Sequence, residues 1–492
     1  MPLQLDLAPL CLLLALACGP EPGPAAQRAA PGADSGQAPA SLADGPQGGC
    51  DEQVVLVGEP VANLAAGGAA RLAWSDPGAA SWLRVTDALG RVRDLPRDDR
   101  GGATARGAPA DTDLQARLVV QTDSGGLACA DPISLRTSPL PVGFPELALT
   151  LGGPDAVTPG FFVTPVLTAD RRFVAVVATT GEVVWAWEPP PEISPDSPLY
   201  RAAPTRDGGG VFTQVHATKS GPGTLWRARW DGTLDRTIEI DGLHRDFTEL
   251  PDGSVAALAY ESRAFDSGPL LRGDRVVVVA PDGTQAEAWN MFDDFDHGLG
   301  DSSPVDDPDD DRLREWAHAN GLSYDADTDA WLITLPQLGP PDGPRPQGSL
   351  VSIDRATRQT RWELSHLGGD FEIEPGDAVL FQAPHSMQAT EAGLLVFSRG
   401  APETCSQAVE IALDDGVARS IWASDDADCT HVVFLGEAIR RPDGDTVVMY
   451  SSAGRLDVVD AHGQPLWRLE TDLGAAFGFA EVRDTLDGAA AR

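Results

Sequence analysis

Residues 436–467 have the sequence GEAIRRPDGDTVVMYSSAGRLDVVDAHGQPLW, which contains the repeating pattern of this chain in full. A short apolar run leads to the Asp-Gly turn at 443–444, further runs follow, and the unit closes on Gly-x-x-x-Trp at Trp467. Asp-Gly between two apolar runs is typical of a β-hairpin. The stretch therefore predicts a small antiparallel sheet that ends on a tryptophan.

The same pattern recurs from about residue 155 onward. Its closing pieces are GEVVWAW at 181–187, GTLDRTIEI at 232–240, GTQAEAW at 283–289, RQTRW at 358–362, GVARSIW at 416–422 and GQPLW at 463–467. Six endings at a spacing of roughly 45 to 70 residues predict a six-bladed β-propeller, with tryptophans packed between the blades. The predicted blades are at about 158–190, 198–240, 243–292, 316–366, 384–424 and 431–471.

A different composition precedes this repeat. Residues 50–145 contain short alternating segments such as ARLAWS and SWLRVTD, separated by turn residues, which is typical of a β-sandwich. We therefore predict an all-β chain. An immunoglobulin- or fibronectin-like sandwich over 50–145 is followed by a propeller over 155–475 and a tail over 476–492.

The first residues predict export. MPLQLDLAPLCLLLALAC at 1–18 resembles a signal peptide that ends in a lipobox-like Ala-Leu-Ala-Cys, with Cys18 as the lipid-modified residue. Residues 19–49 are rich in Ala, Gly and Pro and predict a flexible linker. We expect a periplasmic or cell-surface lipoprotein that contacts the membrane only through its lipid anchor. Plain signal cleavage without lipidation is the alternative.

Cysteine number and charge limit the environment and the partners. Four cysteines remain after Cys18, and we predict the disulfides Cys50–Cys129 and Cys405–Cys429, each within one predicted unit. The formal net charge is −38, which disfavours binding to nucleic acid.

Three histidines occupy the same place in three different repeats. His244, His318 and His385 each lie about eight residues ahead of a predicted hairpin turn, near the start of a blade. The first strand of a propeller blade lines the central channel, so we expect the three imidazoles to lie side by side. They are candidates for nucleophile, acid and base, or for metal ligands. We expect no cofactor and no metal, with a metal site as the open alternative.

The segments around these histidines resemble those of bacterial aryl-sulfate sulfotransferases. EWAHANGLSYDADTDAWLITL at 315–335 resembles their W-x-H-x-N segment, and LHRDFTELPDGSVAAL at 243–258 resembles their HHD-type opening. PHSMQATEAGLLVFSRG at 384–400 is similar to their QHxA stretch. The resemblance covers about 155–475. It implies a six-bladed propeller that moves a sulfuryl group from a phenolic sulfate donor to a phenol acceptor.

The resemblance also assigns roles. His385 matches the family's nucleophile, which forms a sulfohistidine and implies ping-pong kinetics. His244 and His318 match its supporting histidines, and Asn320 matches the motif asparagine, a hydrogen-bond donor to the substrate.

Two departures from the family pattern concern positive charge. Pro336 stands where the family has an arginine, and Arg245 stands where the HHD pattern has a second histidine. Arg399 is a candidate replacement for the missing cation, and Arg245 is a candidate for the role of the second histidine. The rival prediction is a weak or inactive propeller lipoprotein that acts as a surface binding module, and Pro336 favours it.

Overall fold

The computed structural model of the protein describes most of the chain beyond residue 49. Described are residues 50, 52–55, 58–62, 64–86, 91–190, 199–216, 222–266, 270–295, 302–304, 313–338, 348–374, 380–400, 404–472 and 474–486. The predicted signal segment 1–18 with Cys18 and the predicted linker 19–49 lie outside these residues. The chain is nearly all β, with 56% strand and 2% helix, which confirms the predicted fold class at this level.

Ten short strands lie in the N-terminal part. They are β1 (Glu52–Gln53), β2 (Gly58–Val61), β3 (Ala66–Gly67), β4 (Ala70–Trp74), β5 (Ser81–Thr86), β6 (Val92–Pro96), β7 (Gly102–Ala105), β8 (Asp113–Gln121), β9 (Leu127–Cys129) and β10 (Ile133–Arg136). One sheet has the order β1-β9-β8-β5-β6 with β10 on β8, and a second has the order β2-β4-β7. Both sheets bury side chains in one apolar core that includes Leu72, Leu83 and Leu118.

The predicted disulfide Cys50–Cys129 is present and joins residues 79 positions apart. It lies where β1 pairs in parallel with β9. A link that closes a loop of this length contributes about 4 kcal/mol, largely by restricting the unfolded chain.

Strand β11 (Leu147–Leu151) precedes six mainly antiparallel sheets that follow one another in the chain. Sheet 1 contains β12 (Phe161–Leu167), β13 (Arg172–Ala178) and β14 (Val183–Trp187). Sheet 2 contains β15 (Leu199–Pro204), β16 (Gly210–Val215), β17 (Gly223–Arg229) and β18 (Leu234–Ile240). Sheet 3 contains β19 (Leu243–Glu249), β20 (Val255–Phe265), β21 (Leu270–Val279) and β22 (Gln285–Asn290), and the short β23 (Ser302–Pro304) and β24 (Leu313–Glu315) add to it.

The last three sheets are likewise built from strands that are mostly consecutive in the chain. Sheet 4 contains β25 (Gly321–Asp325), β26 (Ala330–Leu335), β27 (Ser349–Asp354), β28 (Thr360–Ser365) and the short β29 (Gly368–Gly369). Sheet 5 contains β30 (Glu372–Ile373), β31 (Pro384–Thr390), β32 (Gly393–Ser398), β33 (Gln407–Asp414) and β34 (Val417–Ala423). Sheet 6 contains β35 (Glu437–Arg440), β36 (Thr446–Tyr450), β37 (Arg455–Val459) and β38 (Pro465–Thr471), and the chain continues into β39 (Ala476–Phe477) and β40 (Glu481–Arg483).

Helix is scarce in the described part of the chain. It consists of α1 (Met291–Asp294), capped by the Asn290 side chain, and one 3-10 turn (Ser451–Ala453). Among these residues no helix has the length and apolar character needed to cross a bilayer. The two disulfides are consistent with an exported protein.

Strands from distant parts of the chain complete the first and last sheets. Strands β39 and β40 pair with β12 of sheet 1, β3 pairs with β14, and β11 pairs with β38 of sheet 6. The Trp467 indole of sheet 6 donates to the Thr179 carbonyl of sheet 1 at 2.9 Å. The two ends of the six-sheet segment therefore contact each other directly.

Tryptophans at the ends of the repeats reach the neighbouring sheet. Trp185 and Trp187 of sheet 1 donate to the carbonyls of Trp230 and Gly232 in sheet 2, at 2.7 and 3.0 Å. Each of these indoles is buried and its N–H is satisfied, which adds direction to the apolar packing. The corresponding Trp362 and Trp422 are only partly buried.

Irregularities in the first strands orient the side chains near their starts. Pairing shifts register between Leu199 and Ala202 in β15, between Leu243 and Phe247 in β19, and between His385 and Met387 in β31. A β-bulge redirects the side chains that a regular strand alternates between its two faces. Arg245, within the second irregularity, has a left-handed backbone with φ 56°.

A buried charged cluster ties these first strands to the C-terminal end. Arg201 of β15 lies 2.9 Å from Glu437 of β35, 2.9 Å from Glu481 of β40 and 3.1 Å from Asp246 of β19. Arg483 also pairs with Glu481 at 3.0 Å, so two guanidiniums face three carboxylates and part of the cluster retains a proton. Burial raises the pKa of Glu437 to about 7 and that of Asp246 to about 6.

We expect this cluster to make stability depend on pH. The folded protein holds a proton on Glu437 that the unfolded chain releases, so this stabilisation is lost as pH rises through about 7. Glu437→Gln removes this titration. Between pH 5 and 8 the free energy of unfolding of the unmodified protein should therefore fall by on the order of 3 kcal/mol more than that of the variant. Thermal or urea unfolding at several pH values measures the difference. Glu391→Gln, on an exposed turn, is the control, and equal pH dependence in Glu437→Gln and the unmodified protein contradicts the prediction.

Candidate active site

His385 lies at the start of β31, where its side chain is buried. Its Nε2 atom is 2.9 Å from Asn320 Nδ2, and its Nδ1 atom is 3.1 Å from the Ala383 carbonyl oxygen. Because a carbonyl only accepts, Nδ1 carries the proton, and the lone pair of Nε2 accepts from the Asn320 amide. The ring thus presents an unprotonated Nε2.

The surroundings of His385 keep the ring neutral. Burial lowers the pKa of this imidazole well below its usual value, and the charge of Arg399 lowers it further. The hydrogen bond to Ala383 opposes the shift without reversing it. A neutral imidazole at neutral pH is the form that a nitrogen nucleophile requires.

His318 lies between a carboxylate and a guanidinium. Its Nδ1 atom is 2.6 Å from Glu315 Oε2, and its Nε2 atom is 2.8 Å from Arg245 Nη2. The Tyr260 hydroxyl donates to the other oxygen of Glu315 at 3.3 Å. Burial opposes ionisation of Glu315, but the interaction with His318 and the charge of Arg245 outweigh it and hold the pKa of this carboxyl below its usual range.

His244 is fully buried beside this chain of contacts. Its ring stacks on Tyr260, with centroids 3.7 Å apart and planes within 2° of parallel. Its Nε2 atom lies 2.9 Å from Asp274 Oδ1, without the alignment of a hydrogen bond. Burial and the charge of Arg245 hold its pKa well below the usual value. His244 therefore supports Tyr260, and the adjacent Arg245 is the residue of this strand that reaches His318.

Asp274 connects the support to the backbone of the site. Its Oδ2 atom accepts from the Ala319 amide at 3.0 Å, between His318 and Asn320. Burial raises the pKa of Asp274 to about 7. The buried carboxyl of Asp274 thus fixes the backbone between His318 and Asn320.

Two guanidiniums face the site without a carboxylate of their own. The Arg245 guanidinium lies over the Tyr200 ring at 4.8 Å, and Arg399 Nη1 donates to the Val433 carbonyl at 3.1 Å. Among the residues that the structure describes, neither forms an ion pair with a carboxylate. Burial lowers the pKa of Arg399, and the charge of Arg245 adds to the effect. In a chain of net charge −38, two such cations in reach of each other favour an anionic ligand.

The second predicted disulfide, Cys405–Cys429, is present and positions Arg399. Ser406, next to it, donates to the Arg399 carbonyl at 2.5 Å and accepts from the Val432 amide at 2.8 Å. The disulfide and Ser406 therefore join the strand end that carries Arg399 to the segment that binds its guanidinium.

Pro336 directly follows β26 and is buried. It lies beside Gly348, where an added Cβ would be 3.0 Å from Pro336 Cα and 2.5 Å from Pro384 Cδ. Gly348 therefore lies close both to the position where the family pattern has an arginine and to the residue that precedes His385.

Four further residues of the site, Asp274 among them, were not singled out in the sequence. Glu315 contacts His318, and the Tyr260 hydroxyl donates to Glu315. The His216 ring centroid lies 6.0 Å from that of His244 and 5.8 Å from that of Tyr260. Glu315 precedes His318 by three residues, and a carboxylate so close in sequence could have been recognised as a partner for the histidine. His216 shares no register with the other histidines, so no sequence pattern indicated it.

No metal-ligand geometry stands out within the described ranges. No group of three or more His, Cys, Asp or Glu side chains there is arranged to hold a metal ion. His318 and His385 each direct Nε2 to a side-chain donor, Arg245 and Asn320 respectively. The expectation that no metal or cofactor takes part stays a prediction.

The chain was compared with curated proteins, solved structures and protein-family models. Among curated proteins no relative matches the chain. A protein of unknown function from Bacteroides caccae is 13% identical, with a TM-score of 0.42 over 66% of this chain and 99% of its own. Apo AztD from Citrobacter koseri is 11% identical, with a TM-score of 0.36 over 66% and 98%.

The model of the family described as Arylsulfotransferase (ASST) matches residues 168–383. This range contains Arg245, His318 and Asn320 and ends just before His385. The match supports a sulfotransferase-like function for the protein. The resemblance to the arylsulfotransferase family that the sequence indicated is thereby confirmed over residues 168–383.

Proposed function

We propose that the protein transfers a sulfuryl group from a phenolic sulfate ester to a phenol, with His385 as the nucleophile. The observation that carries the proposal is the neutral, buried His385 with an unprotonated Nε2. The charges of Arg245 and Arg399, two cations that form no ion pair with a carboxylate among the described residues, both act on this ring. The guanidiniums can bind the negatively charged oxygens of a sulfate ester while the imidazole attacks its sulfur.

The proposed reaction has two balanced halves. His385 Nε2 attacks sulfur, the N–S bond forms, and the bond from sulfur to the donor's phenolic oxygen breaks. The phenolic oxygen keeps that electron pair and takes a proton from solvent. An acceptor phenol then loses its proton to solvent and attacks sulfur, which breaks the N–S bond and returns the electron pair to Nε2.

In this proposal Arg245 supplies the positive charge that the family's arginine, absent at Pro336, would provide. A sulfuryl group in transfer carries negative charge on its oxygens, and a fixed guanidinium stabilises that charge more than it stabilises the free ester. Arg245 is held in place by His318 and by the Tyr200 ring. Its fork of donors suits tetrahedral oxyanions.

Asn320 has a proposed role that changes during the reaction. Its amide donates to His385 Nε2 in the free protein. Attack on sulfur uses that lone pair, and the amide then donates to a sulfuryl oxygen instead. His318 and the His244–Tyr260 stack keep the surrounding groups in place.

We further propose that sheets 1 to 6 close into a six-bladed propeller, which extends beyond the expected range 155–475 to include β39 and β40. The pairing of β39 and β40 with β12 and the contact of Trp467 with Thr179 support a closed ring. The two N-terminal sheets with their shared core suit an immunoglobulin- or fibronectin-like domain over 50–145. Attachment to a bacterial membrane through a lipid on Cys18, in the periplasm or at the cell surface, completes the proposal.

A binding module without turnover is the second candidate. Pro336 in place of the family's arginine favours it. In that case the two guanidiniums bind an anion that is not transformed.

The deciding experiment incubates the purified protein with p-nitrophenyl sulfate, with and without phenol. Release of p-nitrophenol that depends on phenol, parallel double-reciprocal lines and a protein adduct with the mass of one SO3 group on His385 are expected. Absence of both turnover and adduct, with retained sulfate binding, establishes the binding module instead. Elemental analysis of the same sample tests the metal alternative.

A further inference from the structure

The hydrogen bonds around His318 define its protonation state. A guanidinium nitrogen can only donate, so the 2.8 Å contact from Arg245 Nη2 requires a bare Nε2 on His318. The ionised Glu315 can only accept, so the 2.6 Å contact to its Oε2 requires a proton on Nδ1. His318 is therefore neutral while it contacts Arg245.

A tetrahedral oxyanion reverses the requirement at Nε2. Sulfate oxygens only accept hydrogen bonds, so an anion that contacts both Arg245 and His318 needs a proton on each facing nitrogen. The lone pair that now accepts from Arg245 must then bind a proton from solvent. Arg245 turns its N–H from His318 to the anion, and His318 becomes an imidazolium with two N–H donors.

We propose that binding of a tetrahedral oxyanion between Arg245 and His318 takes up one proton on His318, with Glu315 as the positioning residue that stabilises the imidazolium. The inference rests on the anion site of the proposed function and adds a proton linkage and a further residue to it. Glu315 acts through His318, because it contacts Nδ1 and leaves Nε2 for the ligand.

The charges around His318 give the linkage its direction. The Arg245 guanidinium, 2.8 Å from Nε2, lies on one side of the His318 ring, and the Glu315 carboxylate, 2.6 Å from Nδ1, lies on the other. The neutral groups that face the site are Tyr260, His244 and His385, and Asp274 lies behind the Ala319 amide. The anion adds the negative charge that shifts this balance toward the imidazolium.

The expected consequence is a pH-dependent affinity for sulfate. One proton taken up per anion makes the dissociation constant rise by about tenfold for each pH unit, wherever the free site is unprotonated. The same linkage applies to a sulfate ester, since it presents the same oxygens. Binding is thus tighter in mildly acidic than in alkaline solution.

Isothermal titration of the whole purified protein with sodium sulfate tests the proposal. Titrations in two buffers of different ionisation enthalpy at one pH give the number of protons taken up. One proton is expected for the unmodified protein. Glu315→Gln is expected to lose the uptake and to weaken sulfate binding by about tenfold or more.

Three variants complete the design. His318→Asn is expected to bind sulfate without proton uptake, and it serves in place of Glu315→Gln if that variant does not fold. His385→Asn is expected to retain the uptake, which assigns the proton to His318. Glu391→Gln, on an exposed turn, is expected to match the unmodified protein.

Sulfate binding without proton uptake, undiminished uptake in both Glu315→Gln and His318→Asn, or no measurable sulfate binding overturns the proposal. The proposed function fails by a different result, which is the absence of turnover and of an adduct on His385. Turnover without proton uptake leaves the function standing and removes only the linkage.

Discussion

Replacement of His385 by asparagine is expected to reduce sulfuryl transfer by at least about 1,000-fold, because the amide lacks a basic nitrogen to attack sulfur. The loss should appear in kcat and in kcat/KM alike, since covalent transfer through this residue is a step of every turnover. Initial rates with p-nitrophenyl sulfate and phenol measure it. Intact-mass analysis after incubation with the donor alone should show the adduct in the unmodified protein and none in His385→Asn.

The control for this variant is His462→Asn. His462 lies on the exposed turn between β37 and β38, where its backbone amide contacts Asp460. The same chemical change there should leave turnover and adduct formation as they are. Turnover of His385→Asn within tenfold of the unmodified protein, or an adduct on another residue, contradicts the nucleophile assignment.

Replacement of Arg245 by glutamine is expected to lower kcat/KM by roughly 100- to 1,000-fold, or about 3–4 kcal/mol of transition-state stabilisation. The physical reason is the sulfuryl charge, which Arg245 meets from a fixed position between His318 and the Tyr200 ring. Lysine in its place should recover little, because it lacks the planar fork of donors. Steady-state kinetics with varied donor concentration separates the effect on kcat from that on KM.

Two further substitutions define what a loss in Arg245→Gln means. Arg419→Gln changes a partly exposed arginine paired with Asp414 and should leave kinetics unchanged. Arg399→Gln is expected to cost less than Arg245→Gln, because Arg399 donates to the Val433 carbonyl and has no contact with His318. A reversed order, with Arg399→Gln inactive and Arg245→Gln active, transfers the role of the missing cation to Arg399.

Much of the strand pattern was predictable from local sequence. Asp-Gly turns such as 443–444 lie between paired strands, because left-handed glycines complete such turns wherever they occur. The additions to sheets 1 and 6 were not predictable. Strands β3, β39 and β40 are very short and pair with partners far away in sequence, so no local periodicity marks them.

The disulfides show what sequence separation alone permits. Cys50–Cys129 and Cys405–Cys429 are present as predicted, since each pair lies within one sequence unit. The position of the second bond beside Ser406, which holds the Arg399 carbonyl, depends on the loop path and was visible only in the structure.

The amino-acid sequence alone specifies which chemical groups the site contains: His385 and Asn320 at the starts of successive sheets, His318 in its motif, and no arginine at Pro336. The contacts among these groups depend on the folded chain. Neighbouring residues on a strand point to opposite faces, and the irregularity in β19 with the left-handed φ of Arg245 assigns those faces. His244 is therefore buried against Tyr260, while Arg245 reaches His318 across the gap between sheets.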